Sequence, residues 1–472
     1  MKKILFIQLQ EFAFPGLYYL CGALKEKNTP YGVIATNRLP LIVQKIREFK
    51  PAVAAFPCMT GSHREILSTA GRLKDFFPGL KILLGGIHPT LFSDVIREES
   101  VDYICRGEGE EAVVELMVSI QENKHPQNIG NISWKQGQEI FHNAMRPLTN
   151  PLDDVPFPDY SIYSTNPIIS SDTYPMVYMI RGCPFSCTYC HNSRQRSLFK
   201  GLGTYVRSFS IERILEEVDA AIYSYPRTKA IFLGADTLGR DIDWLSQLLT
   251  QFKRKFSVPY TCLIRPEFIN EDLVKLLSET GCHMLAFGIE SGSERIRTQI
   301  LGRHYSNEQI LTAASLLKHH GVKFRTYNII GFPTETKEEM LATLDLNLKV
   351  QPDFPWCSIF TPYPETDLTD LAISQGYLGN NFSFDDVPPS FFNDTMLQNV
   401  DRNYILNLHS LFQSSVLFPP LRKILKYLVR MPHNRLYRLI FKAVYSLTCL
   451  RSERRSVLNF LRLAISNRRL FR

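Results

Sequence analysis

The chain has 472 residues and a mass of 54.3 kDa, a length that suggests two or three domains and excludes a single small module. Hydrophobic residues make up 44% and charged residues 21%, as in ordinary globular proteins, which excludes a disordered chain. The formal net charge of +8 is uneven: residues 421–472 hold 14 Lys or Arg against one acid, Glu453, so the remainder is mildly acidic.

The first apolar run is short. Ile4–Ile7 follows two lysines, as at the start of a secretory signal, but Gln8, Gln10 and Glu11 end the run too early. We expect a buried first strand instead. No run of about 18 apolar residues is present that could cross a bilayer. Ten cysteines in such a chain favour thiols and metal ligation over disulfides, so we expect a cytoplasmic protein.

Strand-like and helix-like segments alternate through the first 120 residues. Strands are predicted at 3–10, 32–36, 53–57, 81–84 and 101–106, with helices such as 42–49 and 65–77 between them. This alternation indicates a parallel sheet with helical crossovers, a doubly wound, Rossmann-like α/β domain. Glycine turns at 85–86 and 107–109 follow two of the strands, at the sheet edge where such domains bind ligands.

Residues 107–112 match G-x-G-x-x-A between a strand and a helix, a pattern also found in dinucleotide-binding sites. The pattern follows the fifth strand, however. Glu108, Glu110 and Glu111 at the helix start would repel a phosphate. We therefore favour another ligand over a nicotinamide or flavin dinucleotide.

Prolines are dense between Met145 and Pro175 and exclude a continuous helix or central strand, so we predict a linker at 146–175. Strands are then predicted at 176–180, 230–233, 260–264, 284–288, 323–330 and 356–361, with helices such as 211–224, 271–279 and 306–320 between them. Six repeats predict a partial (β/α)6 barrel over residues 176–390, with its function at the carboxyl ends of the strands. Residues 391–472 lack strand signals and are predicted to be helical.

Three cysteines lie within eight residues directly after the first barrel strand. Cys183, Cys187 and Cys190 form a C-x3-C-x2-C run. A closed zinc or ferredoxin-type site needs a fourth thiolate nearby, but the next cysteine is Cys262, 72 residues further on. Three thiolates leave one iron of an iron–sulfur cluster open, which suits a cluster that binds a substrate.

This spacing, with Tyr189 before the last cysteine, resembles the signature of the radical S-adenosylmethionine (SAM) superfamily. The resemblance implies that the three thiolates hold a 4Fe–4S cluster, whose open iron takes the amino and carboxylate groups of SAM. Segments 232–236, 288–293 and 331–336 fit the same order. By resemblance the SAM contacts are Tyr189, Asp236, Arg265, Glu290, Ser291, Gly331 and Pro333. Two alternatives stay open: Glu290 caps a helix, or Arg265 pairs with Asp236.

Segments 85–89 and 102–110 look like the cobalamin-binding domains that precede some radical SAM barrels. On this resemblance the chain is identified as a member of the cobalamin-binding-domain-containing radical SAM enzymes of class B type. Residues 1–145 would form the cobalamin-binding domain, with implied contacts at Thr60, Ser62, Gly85, Gly86, Arg106, Gly107 and Glu108. The D-x-H-x-x-G motif is absent after the first strand, so the cobalamin should be base-off. His88 is expected to be a surface or packing residue and not a cobalt ligand.

The resemblance implies that SAM yields a 5′-deoxyadenosyl radical, which abstracts a hydrogen, and that methylcobalamin then methylates an unactivated carbon or a phosphinate. Radical cyclisation or rearrangement of a lipid or tetrapyrrole-like substrate is the alternative. A sensor without turnover would not need the SAM segments. A methylthiotransferase is disfavoured, because Cys21, Cys58 and Cys105 stand singly. No residue is singled out as catalytic. A flavodoxin or ferredoxin would supply the electron.

The basic tail is predicted to form amphipathic helices, because apolar residues recur at helical spacing in 421–429 and 436–447 while Lys and Arg lie mostly off those stripes. Either the apolar faces cover the barrel, or the helices contact the inner face of an anionic membrane. The second alternative would suit a lipid-like substrate. No nucleic-acid partner is expected, because the aromatic residues share helices with the apolar stripes.

Overall fold

The computed structural model describes residues 1–236, 238–454 and 457–466. The end of the predicted basic tail, residues 467–472, lies outside the described residues, as do 455 and 456. The chain divides into two compact units. Within the described residues, the first comprises Met1–Asp172, Ser197–Arg227 and 461–466, and the second comprises Thr173–Arg196 and the described part of Thr228–Phe460. The domain boundaries at residues 145, 175 and 390 stay a prediction.

The strands of the first unit form a mostly parallel sheet in the order β2-β1-β3-β4-β5-β6-β7. They are β1 (Ile4–Gln8), β2 (Tyr31–Ala35), β3 (Val53–Pro57), β4 (Lys81–Gly85), β5 (Tyr103–Cys105), β6 (Ile132–Gln136) and β7 (Glu139–His142). β1 to β5 are parallel, with Ile4 opposite both Tyr31 and Val53, whereas β6 and β7 are antiparallel. This confirms the doubly wound α/β fold predicted for the front of the chain.

The second unit carries six parallel strands in the order β14-β13-β12-β11-β10-β8. These strands are β8 (Met176–Arg181), β10 (Ile231–Ala235), β11 (Tyr260–Leu263), β12 (Cys282–Glu290), β13 (Lys323–Ile330) and β14 (Phe354–Ile359). The short β9 (Arg207–Ser208), between β8 and β10 in the chain, belongs to the first unit. The six parallel strands match the predicted partial barrel. Each neighbouring pair is parallel, so the carboxyl ends share one edge of the sheet.

Sixteen α-helices occur within the described residues. They are α1 (Pro15–Glu26), α2 (Leu39–Phe49), α3 (His63–Phe76), α4 (Ile87–Leu91), α5 (Glu110–Gln121), α6 (His191–Leu198), α7 (Ile211–Ser224), α8 (Ile242–Lys255), α9 (Glu271–Thr280), α10 (Asn307–His319), α11 (Lys337–Val350), α12 (Asp367–Ser374), α13 (Arg402–Leu417), α14 (Arg422–Leu428), α15 (Arg435–Ser452) and α16 (Val457–Ser466). In the proline-rich linker only short 3-10 turns form, at Leu152–Asp154 and Tyr160–Tyr163.

Both faces of the first sheet are covered. Leu5, Ala54 and Ile82 point into one apolar core, whereas their neighbours Ile4 and Val53 point into the other. Successive strand residues alternate between faces, so burial on both sides requires a continuous apolar run in each strand. These runs are what made β1, β3 and β4 recognisable in the sequence.

Helix α7 is part of the first unit. The buried carboxylate of Glu217 accepts hydrogen bonds from Tyr19 Oη and Arg213 Nε, each at 2.8 Å. Tyr18 Oη lies 2.7 Å from Tyr225 Oη. Burial raises the pKa of Glu217, and its donors counter that shift. A buried carboxylate with several donors fixes α7 against α1.

The C-terminal helices of the second unit cover part of the barrel. Leu425, Val429 and Tyr437 from this region pack with Ile405 and Phe412 of α13 in one apolar core. Other apolar residues of the same helices stay exposed, among them Ile424, Leu436, Leu439 and Leu447. Covering the barrel therefore uses only part of the predicted apolar faces. Within the described residues, no helix is both long and apolar enough to span a bilayer.

Candidate active site at the carboxyl ends of the barrel strands

The cysteine loop follows β8 and is held in place by the chain itself. Gly182, with φ of +88°, turns the backbone out of the strand, a conformation that glycine adopts without strain. Thr188 then anchors the loop, because its N–H donates to Leu301 O at 3.2 Å and its hydroxyl to Ile300 O at 2.6 Å. Arg196 donates to Pro184 O and to Ser186 Oγ. The loop therefore has a defined conformation built from its own hydrogen bonds.

The three predicted cluster ligands lie together on this loop. Cys187 is buried, and Cys183 and Cys190 are half-buried. Burial raises the pKa of Cys190 to about 11, and the neighbouring thiols of Cys187 and Cys183 add to the increase. No group of three or more His, Cys, Asp or Glu side chains among the described residues could hold a single metal ion. Three thiols on one loop are the kind of donor set that iron–sulfur clusters take from proteins.

Arg265 lies against the loop. Its Nη1 donates to Cys187 Sγ at 3.6 Å, and its guanidinium lies 3.7 Å from the ring centre of Phe185. Its Nε donates to Glu267 Oε1 at 2.5 Å. The alternative that Arg265 pairs with Asp236 is therefore wrong. Arg265 therefore places a positive charge next to the sulfur of a predicted cluster ligand.

Asp236, at the end of β10, is exposed and accepts a hydrogen bond from the N–H of Gly182 at 2.9 Å. Its carboxylate thus supports the turn that leads into the cysteine loop. The carboxylate does not pair with Arg265, whose Nε is held by Glu267.

Glu290 ends β12 with φ of +61°, a strained conformation for a residue other than glycine. Its carboxylate accepts from Arg303 Nη1 at 2.5 Å, and both side chains are 9% exposed. The same Nη1 donates to Tyr189 Oη at 2.8 Å. A Cβ at Gly288 would overlap the Glu290 carboxylate, so a glycine is needed there. The carboxylate binds Arg303, so the helix-capping alternative is wrong.

Arg303 was not identified from the sequence. Its Nη1 joins Tyr189 of the cysteine loop to Glu290 of β12, two residues that the family resemblance had singled out. Its Nε is buried without a hydrogen-bond partner among the described residues. The signal that could have found it is weak, namely an arginine 13 residues after Glu290 in a segment without a motif.

The ends of β12 and β13 are joined by a second polar group. The carboxyl of Glu335 accepts from Gly331 N at 2.7 Å and from Phe332 N at 3.1 Å. Its other oxygen lies 3.5 Å from the hydroxyl of Ser291, which is buried. Burial raises the pKa of Glu335 to about 8, although both backbone N–H groups lower it. Pro333 is buried in the same turn.

In the first unit, the loops after β3 and β4 contact each other. Thr60 Oγ1 lies 3.0 Å from His88 Nδ1, and the rings of His88 and His63 stack with centroids 4.4 Å apart. Both histidines are fully buried. Gly86 has φ of +98°, and a Cβ there would lie 3.1 Å from Cys58 O. The geometry therefore places His88 in packing contacts.

The loop after β5 is fixed from within its own unit. Gly107 N donates to Thr90 Oγ1 at 2.9 Å. The carboxylate of Glu108 accepts from Thr149 N at 2.9 Å and from Arg207 Nη2 at 2.8 Å. Arg106 is different, because its buried Nε has no hydrogen-bond partner among the described residues. A buried donor without a partner is costly, so Arg106 fits a ligand at this loop.

Of the remaining residues predicted around the cobalamin, Ser62 donates to Met59 O at 2.9 Å. The space beside the Cα of Gly85 is open, because a Cβ added there would have only the Cβ of Cys105 as a neighbour, at 4.0 Å. Gly85 is the last residue of β4, and the other six predicted residues lie just after β3, β4 and β5, in one unit and at one edge of a parallel sheet.

The comparisons with known proteins agree with this fold. Residues 177–346 match the radical SAM superfamily, and residues 12–117 match the B12 binding domain. The structure of the cobalamin-dependent S-adenosylmethionine radical enzyme OxsB with aqua-cobalamin covers 99% of this chain, which in turn covers 75% of OxsB. The TM-score is 0.69 at 14% identity, so this likeness concerns the fold alone.

Two relatives are similar in sequence. An uncharacterised methyltransferase of Pyrococcus horikoshii is 29% identical over 371 residues, which is 77% of this chain and 79% of the relative. The anaerobic magnesium-protoporphyrin IX monomethyl ester cyclase of Cereibacter sphaeroides is 25% identical over 371 residues, or 74% of this chain. The matched region spans 58% of the length of that cyclase.

Fold and site together define a radical SAM protein with a B12-binding domain in front of its barrel. The chain carries both of these domains, in the order that the sequence predicted for the cobalamin-binding-domain-containing radical SAM enzymes. Its cofactors are a 4Fe–4S cluster, SAM and cobalamin. It is therefore an enzyme and not a sensor. A small-molecule substrate and a reductant are consistent with this family.

Proposed function

We propose that this enzyme is a methyltransferase that acts on an unactivated carbon or a phosphinate. The observation that carries the proposal is the similarity to the methyltransferase of P. horikoshii, which extends over most of both chains. When bound, the three cofactors supply a 5′-deoxyadenosyl radical for hydrogen abstraction and a methyl group to replace the hydrogen. The chain's own residues bind, orient and shield these groups.

Cys183, Cys187 and Cys190 would hold the cluster. The support is their common position on a loop that the chain fixes by itself, at the carboxyl end of β8. Arg265 would act on Cys187, because its guanidinium contacts that sulfur and carries the charge opposite to a thiolate.

The SAM pocket would be formed by Tyr189, Asp236, Arg265, Glu290, Ser291, Gly331 and Pro333. In this assignment Arg303 is a positioning residue, because its guanidinium holds both Tyr189 Oη and the carboxylate of Glu290. The second oxygen of Glu290 remains an acceptor for an ammonium or a ribose hydroxyl. The buried barrel end would exclude water from the radical.

Cobalamin would lie against Thr60, Ser62, Gly85, Gly86, Arg106, Gly107 and Glu108. The buried Nε of Arg106 could donate a hydrogen bond to cobalamin. The carboxylate of Glu108 already accepts a hydrogen bond from Arg207, so Glu108 would fix the conformation of the loop. The segment directly after β1, residues 8–14, contains no histidine. His88 is held in packing contacts, so we propose that cobalamin binds base-off.

The proposed function is tested by anaerobic incubation of the reconstituted enzyme with trideuteromethyl-labelled SAM and a cell extract, followed by mass spectrometry. Methyl transfer predicts 5′-deoxyadenosine and S-adenosylhomocysteine together, with a labelled product. The Cys187→Ala variant should give neither 5′-deoxyadenosine nor the labelled product. The matched Cys282→Ala variant, which changes a half-buried cysteine outside the loop, should give both. Turnover without S-adenosylhomocysteine would contradict the proposal.

Radical cyclisation is the second candidate, favoured by the similarity to the C. sphaeroides cyclase. The same incubation separates the two functions. A cyclase produces 5′-deoxyadenosine but transfers no methyl group, so S-adenosylhomocysteine and the trideuteromethyl label in the product would both be missing.

We also propose that the C-terminal helices touch an anionic membrane and that the substrate is lipid-like. Leu436 and Leu439 of α15 are each 62% exposed, and Arg435 and Lys442 beside them are exposed too. Leu436→Glu with Leu439→Glu should abolish flotation with anionic vesicles. The exposed Phe76 of α3 and Val118 of α5 provide the control, since Phe76→Glu with Val118→Glu adds the same two negative charges elsewhere and should leave flotation unchanged. Equal flotation of all forms would remove the support for a lipid-like substrate.

A further inference from the structure

A cavity lies in the helical region of the second unit, between α13, α15 and the segment at Phe392. Including its open mouth, it measures about 470 Å³. The residues that matter for its chemistry are Phe392, His409, Ser410, Arg438, Phe441 and Lys442. None of them belongs to the cofactor sites proposed above, so the cavity needs a separate explanation.

His409 of α13 lines this cavity. The imidazole is 2% exposed, and one ring N–H donates to the backbone carbonyl of Cys357. Burial lowers the pKa of His409 to about 4, so the ring is neutral at pH 7. The other nitrogen, Nε2, is buried and has no partner among the described residues. In a neutral ring whose proton is on the first nitrogen, Nε2 carries a lone pair and can only accept.

Two cations stand at the mouth of the cavity. Arg438 and Lys442 lie one turn apart on α15, and both are exposed. Neither forms an ion pair in the described part of the chain, and no acid is among the cavity's described lining residues. The nearby Asp394 is occupied by Arg402, whose Nε and Nη2 donate to it at 2.7 and 2.6 Å. The cavity therefore has a positive charge that the chain does not balance.

The walls are rigid. The ring of Phe441 lies 4.7 Å from that of His409, and Phe392 lies 6.0 Å from His409 and 5.4 Å from Trp356. Packed aromatic rings have few accessible rotamers, so the orientation of His409 is fixed before a ligand arrives. A fixed acceptor beside two cations selects for a particular anion.

We propose that this cavity binds a phosphate group in its monohydrogen form. The P–OH group donates to His409 Nε2, and the remaining oxygens accept from Arg438 and Lys442. Two cations complement the charge of such a group, and the hydroxyl supplies the donor that Nε2 lacks. Sulfate has the same shape and charge but no O–H at neutral pH, so one of its oxygens would face the Nε2 lone pair. The site therefore discriminates between the two anions.

The test is isothermal titration calorimetry of the reconstituted holoenzyme with inorganic phosphate and with sulfate at about pH 7. We expect phosphate to bind about tenfold more tightly than sulfate, or better, because one hydrogen bond is gained and one repulsion is avoided. Arg438→Gln with Lys442→Gln should weaken phosphate binding by about tenfold or more. The matched control is Arg435→Gln with Lys426→Gln, which removes two exposed cations outside the cavity and should leave binding unchanged.

His409→Phe supplies the second check, since it should reduce phosphate affinity to that of sulfate. If this variant does not fold, the surface variants still decide the question. Equal affinity for the two anions, or undiminished phosphate binding by the Arg438 and Lys442 variant, would overturn the proposal and leave a cavity that holds water. These outcomes are read from binding, so they are independent of methyl transfer.

The phosphate group could come from a soluble phosphate or from a phosphomonoester lipid. Flotation with phosphatidylcholine vesicles, with and without phosphatidic acid, distinguishes these sources. Vesicle binding that requires phosphatidic acid, and that inorganic phosphate displaces, assigns the site to a lipid headgroup. Phosphate binding without such vesicle binding assigns it to a soluble phosphate. Either result supports the site, whereas an absence of both contradicts it.

Discussion

Removal of Arg303 is the sharpest test of the candidate active site. Arg303→Met keeps an unbranched side chain of similar reach but takes both hydrogen bonds of Nη1 away, from Glu290 and from Tyr189. Both members of the ion pair are 9% exposed, so water cannot replace the lost partner. Breaking a buried pair by removing one partner costs about 3–5 kcal/mol.

The carboxylate of Glu290 would then lie buried without its partner. We therefore expect Arg303→Met to lose about 3–5 kcal/mol of unfolding free energy at pH 7. Urea unfolding, followed by tryptophan fluorescence, measures the loss.

A second substitution isolates the charge. Glu290→Gln in the Arg303→Met background removes the carboxylate, so the double variant should recover about half of the loss. A cost below about 1 kcal/mol at pH 7, typical of an exposed pair, would refute the reasoning. So would a double variant that recovers none of the loss.

Three further predictions concern the cofactor sites. Alanine at all three loop cysteines, Cys183, Cys187 and Cys190, should abolish iron binding and the cluster absorbance, while Cys282→Ala retains both; iron retained by the triple variant would contradict the assignment. Because burial raises the pKa of Glu335 to about 8, the folded chain keeps a proton that the unfolded chain releases above about pH 4.5. Stability should therefore fall as the pH rises from about 5 to 8, and Glu335→Gln should flatten that slope in urea midpoints. Electron paramagnetic resonance of the Co(II) state should show no nitrogen splitting from a lower ligand, and clear histidine coupling would count against base-off binding.

The strands could be predicted because both sheets bury them on two faces. β3 and β13 were predicted with their exact bounds, Val53–Pro57 and Lys323–Ile330. β6 and β7 were missed. Both strands are short, and they form a hairpin with Gly137 in its turn. The outer strand, β7, is half exposed, so the sequence has no continuous apolar run that would predict these strands.

The cysteine loop could also be predicted, since its ligands are adjacent in sequence and their spacing is specific. Arg303 could not, because the contacts that give it a role reach Tyr189 across 114 residues. Arg265 was predicted to contact SAM, and that contact stays a prediction. Its alternative pairing with Asp236 was wrong, because the partner of its Nε is Glu267, and this choice depends on where the strand ends are placed in space. Such pairings follow from the tertiary fold, and they cannot be predicted from secondary-structure propensities or from sequence motifs.

The inclusion of α7 in the first unit has a consequence for the order in which the protein is made. Tyr18 and Tyr19 are translated about 200 residues before Tyr225 and Glu217, their hydrogen-bond partners, since the two bonds span 207 and 198 residues. Synthesis at roughly 5–20 residues per second puts ten seconds or more between them. The cobalamin-binding part of the nascent chain thus leaves the ribosome before the hydroxyls of Tyr18 and Tyr19 have these hydrogen-bond partners. It can complete its packing only when the barrel has begun to emerge. Gene fusions that cut the chain at the linker would separate partners that the folded unit keeps together.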